Sequence, residues 1–358
     1  MKLFLIGGFL GSGKTTAIHN ACSSFLRHAR KVAVITNDQG ADLVDTEFIR
    51  TAGVKATEVV NGCFCCNYNQ LAEAIQALQQ AEKPDIIFAE SVGSCTDLVA
   101  AIAKPLEKFQ PAIEVVISVF ADAELLYSLL RGNSVFLDEN VRYLYKKQLE
   151  EADIIVLNKA DLLIDTHINK VREQIEADFP GKIILYQNSL EEDDVRNWVL
   201  TLMRFHLKDK RISLDLDYDR YAKAEAILGW LDQRVVIETR DYSASPVARQ
   251  LMSAIYTEVK NAGYPIAHLK FLCDDGSKKT KISFTALDDI SKEIFFVDHK
   301  TNKISVLINA RVQVNASELE KLVSATIQEI AHETGARITI DSKAAFQPAY
   351  PIPVHRMG

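Results

Sequence analysis

Short runs of Val, Ile and Leu without polar alternation punctuate the first ~205 residues, at 2–6, 31–36, 86–89, 115–119, 154–157 and 182–186. Such runs are expected of strands covered on both faces. Between them, apolar residues fall at helical spacing, as in 14–29, 69–80 and 141–150. Strands separated by helices imply βαβ crossovers, and so an α/β domain with a doubly wound, mostly parallel sheet.

The texture changes after about residue 208. Charges thicken through HLKDKRISLDLDYDRYAKAE (206–225), which reads as a linker. Beyond it the pattern predicts strands at 225–238, 267–273, 280–285, 293–298, 303–310 and 336–341. Helices are expected near 246–262 and at 316–334. Two helices segregated against several antiparallel strands make a smaller C-terminal α+β domain, with a ferredoxin-like arrangement as one form of it. The expected organisation is therefore 1–207 and 208–358, with client binding expected of the second domain.

Composition narrows the function. The 358 residues are 48% hydrophobic and 25% charged, the balance of a folded chain, with a formal charge of −7. A mildly acidic chain lacks the basic footprint of a nucleic-acid binder, and no basic run suits a membrane surface. No stretch approaches the ~18 apolar residues of a membrane span. The opening MKLFLIGGFLGSGKTT has an apolar run, but glycines and Lys14 follow at once, with no small-residue cleavage site. It is a strand entering a loop rather than a secretory signal. The expected location is cytoplasmic.

Gly8-Phe9-Leu10-Gly11-Ser12-Gly13-Lys14-Thr15 fits G-x-x-x-x-G-K-[ST] at every position, after a strand and before a helix. Glycines let backbone N–H groups turn toward phosphates, and the helix N-terminus adds partial positive charge. Lys14 can reach the β- and γ-phosphates and the Thr15 hydroxyl can ligate Mg²⁺; Thr16 completes the loop. A second motif, Asn158-Lys159-Ala160-Asp161, ends the apolar run at 154–157. A carboxylate there accepts two N–H groups of guanine and finds neither on adenine, so the nucleotide is expected to be GTP. The Lys159 stem can cover the base, and Asn158 can fasten this loop to the phosphate loop. Asn188-Ser189 is a candidate for a second base-contacting loop.

Three of the six cysteines, Cys63, Cys65 and Cys66, lie within four residues. Thiolates so close repel one another unless a cation neutralises them, and soft thiolates select Zn²⁺, Cu⁺ or similar ions. Buried inert cysteines or a redox pair remain the alternatives. The eight histidines are scattered, and each reads as a surface or packing residue.

These elements in this order resemble the CobW-like family of metallochaperone GTPases over about residues 1–200. The resemblance rests on Gly8 to Thr16, on the E-x-x-N-G-C-x-C-C segment from Glu58 to Cys66, and on Glu90-Ser91-Val92-Gly93. It rests also on Gln148, Ala152 and Asp153 leading to Asn158–Asp161. It implies GTP hydrolysis coupled to delivery of a metal, zinc or cobalt, or of a metal-containing cofactor to a client metalloprotein. Glu90 is then placed to hold Mg²⁺ through water or to orient the attacking water. Gly93 can bring a backbone N–H to the γ-phosphate, and Lys14, Thr15 and Glu90 form the catalytic set.

The first switch departs from the family's N-E-F-G-E-x-G-x-D. It reads Asn37-Asp38-Gln39-Gly40-Ala41-Asp42-Leu43-Val44-Asp45. Asp38 or Asp42 can approach the metal when this segment closes, and either equally suits a solvated loop. The histidine-rich stretch of many zinc members is missing. Two modes of action follow: a GTPase that moves metal, or a GTP-gated binding protein, acting on a corrinoid enzyme or another client, in which the metal is structural. A homodimer is among the assemblies expected.

Overall fold

The fully buried runs form the centre of a seven-stranded parallel sheet in the computed structural model, which describes residues 1–40, 43–132, 138–288 and 299–358. Its strands are β1 (Lys2–Gly8), β2 (Val32–Asn37), β3 (Lys55–Val59), β4 (Ile86–Glu90), β5 (Glu114–Asp122), β6 (Ile154–Asn158) and β7 (Ile183–Gln187). They lie in the order β3-β2-β4-β1-β5-β6-β7. Every pairing is parallel, as crossover helices require. β3 was not among the expected strands, because KATEV is too polar to read as a buried run; it is an edge strand whose first residue is exposed.

The helices of this unit are α1 (Lys14–Arg27), α3 (Tyr68–Ala81), α4 (Lys104–Phe109), α5 (Ala123–Leu130), α6 (Glu139–Glu151), α7 (Asp165–Asp178), α8 (Glu192–Arg204) and α9 (Tyr218–Ala226), while α2 (Val44–Arg50) belongs largely to the second unit described below. α1 buries Ala17, Ile18, Ala21 and Cys22, one stripe at helical spacing, against Phe4, Val34 and Phe88 of the sheet. Phe88 and Phe120 pack against Trp198 in the same core, tilted and edge-to-face respectively, where burial of three large rings contributes several kcal/mol at about 25 cal/mol per Å².

The segment 206–225 is not a free linker. Arg211 is buried and bonded to Asp153, Glu107 and the Val115 carbonyl. α9 then places Tyr221 fully inside. Its charges read as solvated in the sequence because their partners, Glu107 and Asp153, lie far away along the chain.

Two compact units emerge: Met1–Gln39, Ile49–Ala224 and Tyr350–Gly358 form the first, and Gly40–Phe48 with Glu225–Ala349 the second. The second is built on an antiparallel sheet of β8 (Gly229–Glu238), β9 (Ile266–Asp274), β10 (Lys279–Phe284), β11 (Lys303–Val312) and β12 (Arg337–Phe346), in the order β10-β9-β11-β8-β12. β8 starts later than expected, since residues up to Ala226 are helical. The expected strand at 293–298 lies outside the described residues. Without edge strand β10 the chain order is the β-α-β-β-α-β of ferredoxin-like folds.

Alternation divides the faces of this second sheet. Leu231, Val235, Phe271, Val306 and Ile308 pack with α10 (Ala244–Asn261) and α11 (Ala316–Thr334). Leu272 and Leu307, their opposite-parity neighbours, pack instead with Val44 and Phe48 of α2. Asn309 Oδ1 accepts the Val44 N–H at 2.8 Å. Among the described residues no helix is long and apolar enough to cross a membrane.

Candidate functional site

β1 ends in a loop that only particular residues allow. Gly8, Gly11 and Gly13 all have positive φ, at 126°, 77° and 91°. At Gly8 a Cβ would stand 2.1 Å from the Phe120 carbonyl oxygen, so β1 and β5 could not close at that point. Lys14 Nζ donates to the Gly8 carbonyl at 2.7 Å and the Phe9 carbonyl at 3.2 Å, which draws the loop around the ammonium group. Ser12 and Thr15 are buried, and Thr16 is half-buried at the start of α1.

Thr15 Oγ1 donates to Glu90 Oε1 at 2.8 Å. Glu90 is the last residue of β4, next to β1 in the sheet, so two residues far apart in sequence meet at the carboxyl edge. A buried hydroxyl and carboxylate beside a glycine-lined loop supply oxygen donors of the kind Mg²⁺ takes. Gly93 follows on the same loop. A Cβ there would lie 2.6 Å from the Leu10 side chain and 2.9 Å from its backbone nitrogen, so the second loop presses directly on the first. Gln148 Nε2 holds the second loop by donating to the carbonyls of Gly93 (3.0 Å) and Cys95 (2.9 Å).

The Asn158 side chain joins three loops. Nδ2 donates to the Ser12 carbonyl at 2.7 Å, and Oδ1 accepts from the Ser189 N–H at 3.0 Å and hydroxyl at 2.7 Å. Lys159 adopts a left-handed φ of 59° and pairs with Asp122 at 2.6 Å. Asp161 is exposed just beyond. Asn188 caps its own loop, its Oδ1 accepting the Leu190 N–H at 2.9 Å. Asp122 is a site residue that the sequence reading missed. Its Oδ1 caps α5 through Glu124 and Leu125, while its Oδ2 takes Lys159. The available signal was an acid ending an apolar run, the usual sign of a helix cap.

The thiols gather in a turn. Cys66 and Asn67 both donate backbone N–H groups to the Cys63 carbonyl, at 3.1 and 2.9 Å. The sulfurs of Cys63, Cys65 and Cys66 all lie within 4.8 Å of one another, with Cys63 to Cys66 at 3.2 Å and Cys65 to Cys66 at 3.8 Å. A tetrahedral thiolate site with bonds of about 2.3 Å places its sulfurs about 3.8 Å apart, so the donor set fits zinc or a similar soft ion. Hydrogen bonding to Cys63, Cys66 and Cys95, together with burial, pushes the Cys65 thiol well above its ordinary range, and the bond with Cys63 raises Cys66 to about 11.

Asn37, the first residue of the switch sequence, builds this turn. Its Nδ2 donates to the carbonyls of Val59 and Gly62, each at 2.8 Å, and its Oδ1 accepts the Phe64 N–H at 2.7 Å. The segment 350–358 also reaches the turn: the Val354 N–H donates to the Cys65 carbonyl at 3.0 Å. Asp38 is half-buried beside Asn37, its N–H directed at the Val59 carbonyl. Among the described residues no carboxylate joins the three sulfurs, so Asp38 is not part of that group, and Asp42 lies outside the described residues.

Residues 2–185 match the model of the CobW/HypB/UreG nucleotide-binding domain. The chain is 32% identical over 240 residues to the zinc chaperone YjiA of Escherichia coli K12, covering 60% of this chain and 71% of that one. It is 29% identical over 195 residues to the zinc chaperone CobW of a Sinorhizobium species, covering 48% and 54%. To the zinc-regulated GTPase metalloprotein activator 1 of Dictyostelium discoideum it is 27% identical over 207 residues, covering 49% and 43%. Against CobW and the activator, the match spans only about half of the relative's length.

Proposed function

The chain belongs to the CobW/HypB/UreG family, and from that premise we propose that it hydrolyses GTP and uses the nucleotide state to control a transition-metal cargo. Zinc is the first candidate and cobalt the second, carried on Cys63, Cys65 and Cys66. The observation that supports this most directly is Asn37. It ends β2 at the start of the first-switch sequence, and its side chain makes three hydrogen bonds that shape the cysteine turn. A rearrangement of the switch backbone therefore acts on the donors of the metal.

In this reading the phosphate loop orients the nucleotide through backbone N–H groups, and Lys14 offsets charge that builds on the β- and γ-phosphates. Thr15 and Glu90 are the residues that would hold Mg²⁺, which supplies charge neutralisation when bound. The thiols lose their protons to solvent when metal binds. Asp161 reads guanine, and Asn158 keeps that loop in register with Ser12. The second unit is the part offered to a client metalloprotein.

The test is to load the full chain with Zn²⁺ and follow its transfer to a chelator, and then to a client apoprotein, with GTP, with GDP and with a non-hydrolysable GTP analogue. Cargo delivery predicts nucleotide-dependent transfer and turnover of GTP but not ATP. Metal retained equally in all states would instead make the metal structural and the protein a GTP-gated binder.

A further inference from the structure

Asp122 divides its carboxylate between two tasks. It is the last residue of β5 and lies in register with Asn158, the last residue of β6. Oδ1 accepts the N–H groups of Glu124 and Leu125, at 3.0 and 3.1 Å, which caps α5. A cap needs only that one oxygen. Oδ2 takes the Lys159 ammonium at 2.6 Å. The Asp122 side chain is 7% exposed and that of Lys159 26%, so solvent screens the pair only weakly.

Lys159 is thereby held at both ends. Its backbone is left-handed, with φ at 59°, a conformation that a residue with a Cβ keeps only where its surroundings fix it. The preceding Asn158 is fixed on Ser12 and Ser189. A lysine stem is four carbons long and flexible. With its backbone and its ammonium both anchored, that stem becomes a fixed apolar surface two residues along the chain from Asp161. The pairing also cancels a charge. An ammonium without a counter-charge would be drawn to the phosphates that Lys14 serves, whereas one matched by Asp122 leaves the choice of base to the acceptors of Asp161.

We propose that Asp122 is a positioning residue for nucleotide recognition, holding Lys159 so that its stem forms the wall on which the guanine base lies. The inference rests on reading Asn158–Asp161 as the guanine-binding motif. Asp122 acts through Lys159 and touches neither the phosphates nor the attacking water. Its contribution is therefore to binding of the base, equally in the ground state and the transition state, and it appears in KM rather than in kcat.

The test measures GTP turnover by the full chain and its inhibition by tripolyphosphate, which offers the phosphates without a base. Asp122→Asn keeps an oxygen for the α5 cap but puts an amide donor where Lys159 needs an acceptor. KM for GTP should rise about tenfold, the size of one charge-assisted hydrogen bond, with kcat within about twofold of wild type. Inhibition by tripolyphosphate should not change. Lys159→Met keeps an apolar stem that needs no counter-ion, so adding Asp122→Asn to it should raise KM no further. A KM equal to wild type in Asp122→Asn overturns the assignment. So does a loss that extends equally to tripolyphosphate or persists in the Lys159→Met background, since either makes Asp122 a helix cap alone. A wild type that takes ATP as readily as GTP overturns the base-reading motif itself, which is a separate result. Should Asp122→Asn fail to fold, Asp122→Ser retains a cap oxygen and is judged by the same three readouts.

Discussion

Lys270 donates from Nζ to Oδ2 of Asp45, 225 residues earlier in the chain. Lys281 takes the other carboxylate oxygen at 3.2 Å, and Lys279 pairs with Glu47. The acids at the end of the first-switch sequence are therefore held by β9 and β10, within the second unit. Burial alone would raise the Asp45 carboxyl, but Lys270 and Lys281 outweigh it and hold it well below the usual carboxylate range.

Lys270→Ala should loosen α2. The expected cost is about 1–2 kcal/mol, less than for a wholly buried pair because Lys281 remains on Asp45. Hydrogen exchange should speed up in Val44–Arg50. A group with a depressed folded-state pKa gives stability that is present above the unfolded aspartate range and lost as pH falls from that range toward the lower folded-state value. The variant should accordingly lose less stability on acidification than the wild type. Unchanged exchange in α2 would show that the ion pair does not hold the segment.

Lys14→Ala should lower GTP turnover by about 10²-fold or more, because it removes the charge aimed at the phosphates. It also removes two hydrogen bonds to the loop carbonyls of Gly8 and Phe9. Thermal unfolding should shift only modestly, since each such bond contributes about 1 kcal/mol net. A folded variant with near-normal turnover rules out the phosphate-site assignment.

Asp161→Asn should weaken GTP and favour xanthosine triphosphate, which presents a carbonyl where guanine has its amine. Asp161 is exposed, so stability should stay within about 0.5 kcal/mol. Competition binding with both nucleotides checks this. Equal use of GTP and ATP by the wild type would contradict the base-reading role.

Cys65→Ser should cost metal affinity while sparing GTP binding. The thiols of Cys65 and Cys66 are pushed upward, so they carry protons at neutral pH that the metal must displace. Metal affinity should therefore fall as pH falls, and Zn²⁺ addition should release protons to a weakly buffered indicator. The Ser variant should release fewer. Equal release by both proteins would place the metal elsewhere.

Glu151→Gln tests a buried acid outside both sites. Burial is the main cause that raises its carboxyl, to about 7, while the Val99 N–H and Thr96 hydroxyl donate to it. A raised carboxylate pKa means that ionisation opposes the fold. Stability is fully present below the unfolded glutamate range and falls as pH rises toward about 7. The Gln variant should be more stable than wild type by up to about 3 kcal/mol at pH 8 and no different near pH 4. Equal pH profiles of unfolding for the two proteins would show that Glu151 does not titrate in this range.

The parallel sheet was legible in the sequence because central strands are covered on both faces and read as apolar runs, as IIFA at 86–89 and IIVL at 154–157 do. The phosphate loop and the Asn158–Asp161 motif were legible for a related reason: their chemistry depends on local backbone and short spacing. The cysteine cluster could be seen as a cluster for the same reason. Edge strand β3 was not legible, since half its positions face away from the core. Nor was the packed strap around Arg211, whose partners are remote in the chain.

What only the tertiary structure decided is which distant residues meet. Sequence spacing says nothing about Thr15 reaching Glu90, or about Asn158, expected to fasten its loop to the phosphate loop, holding Ser189 as well; those contacts follow from the strand order of the sheet, which brings the β1, β4, β6 and β7 loops to one edge. Asn37 was readable as a switch residue but not as the support of the cysteine turn, because that role needs β2 and β3 side by side in register. A motif is carried by neighbours along the chain, whereas a coordination sphere is closed by neighbours in space.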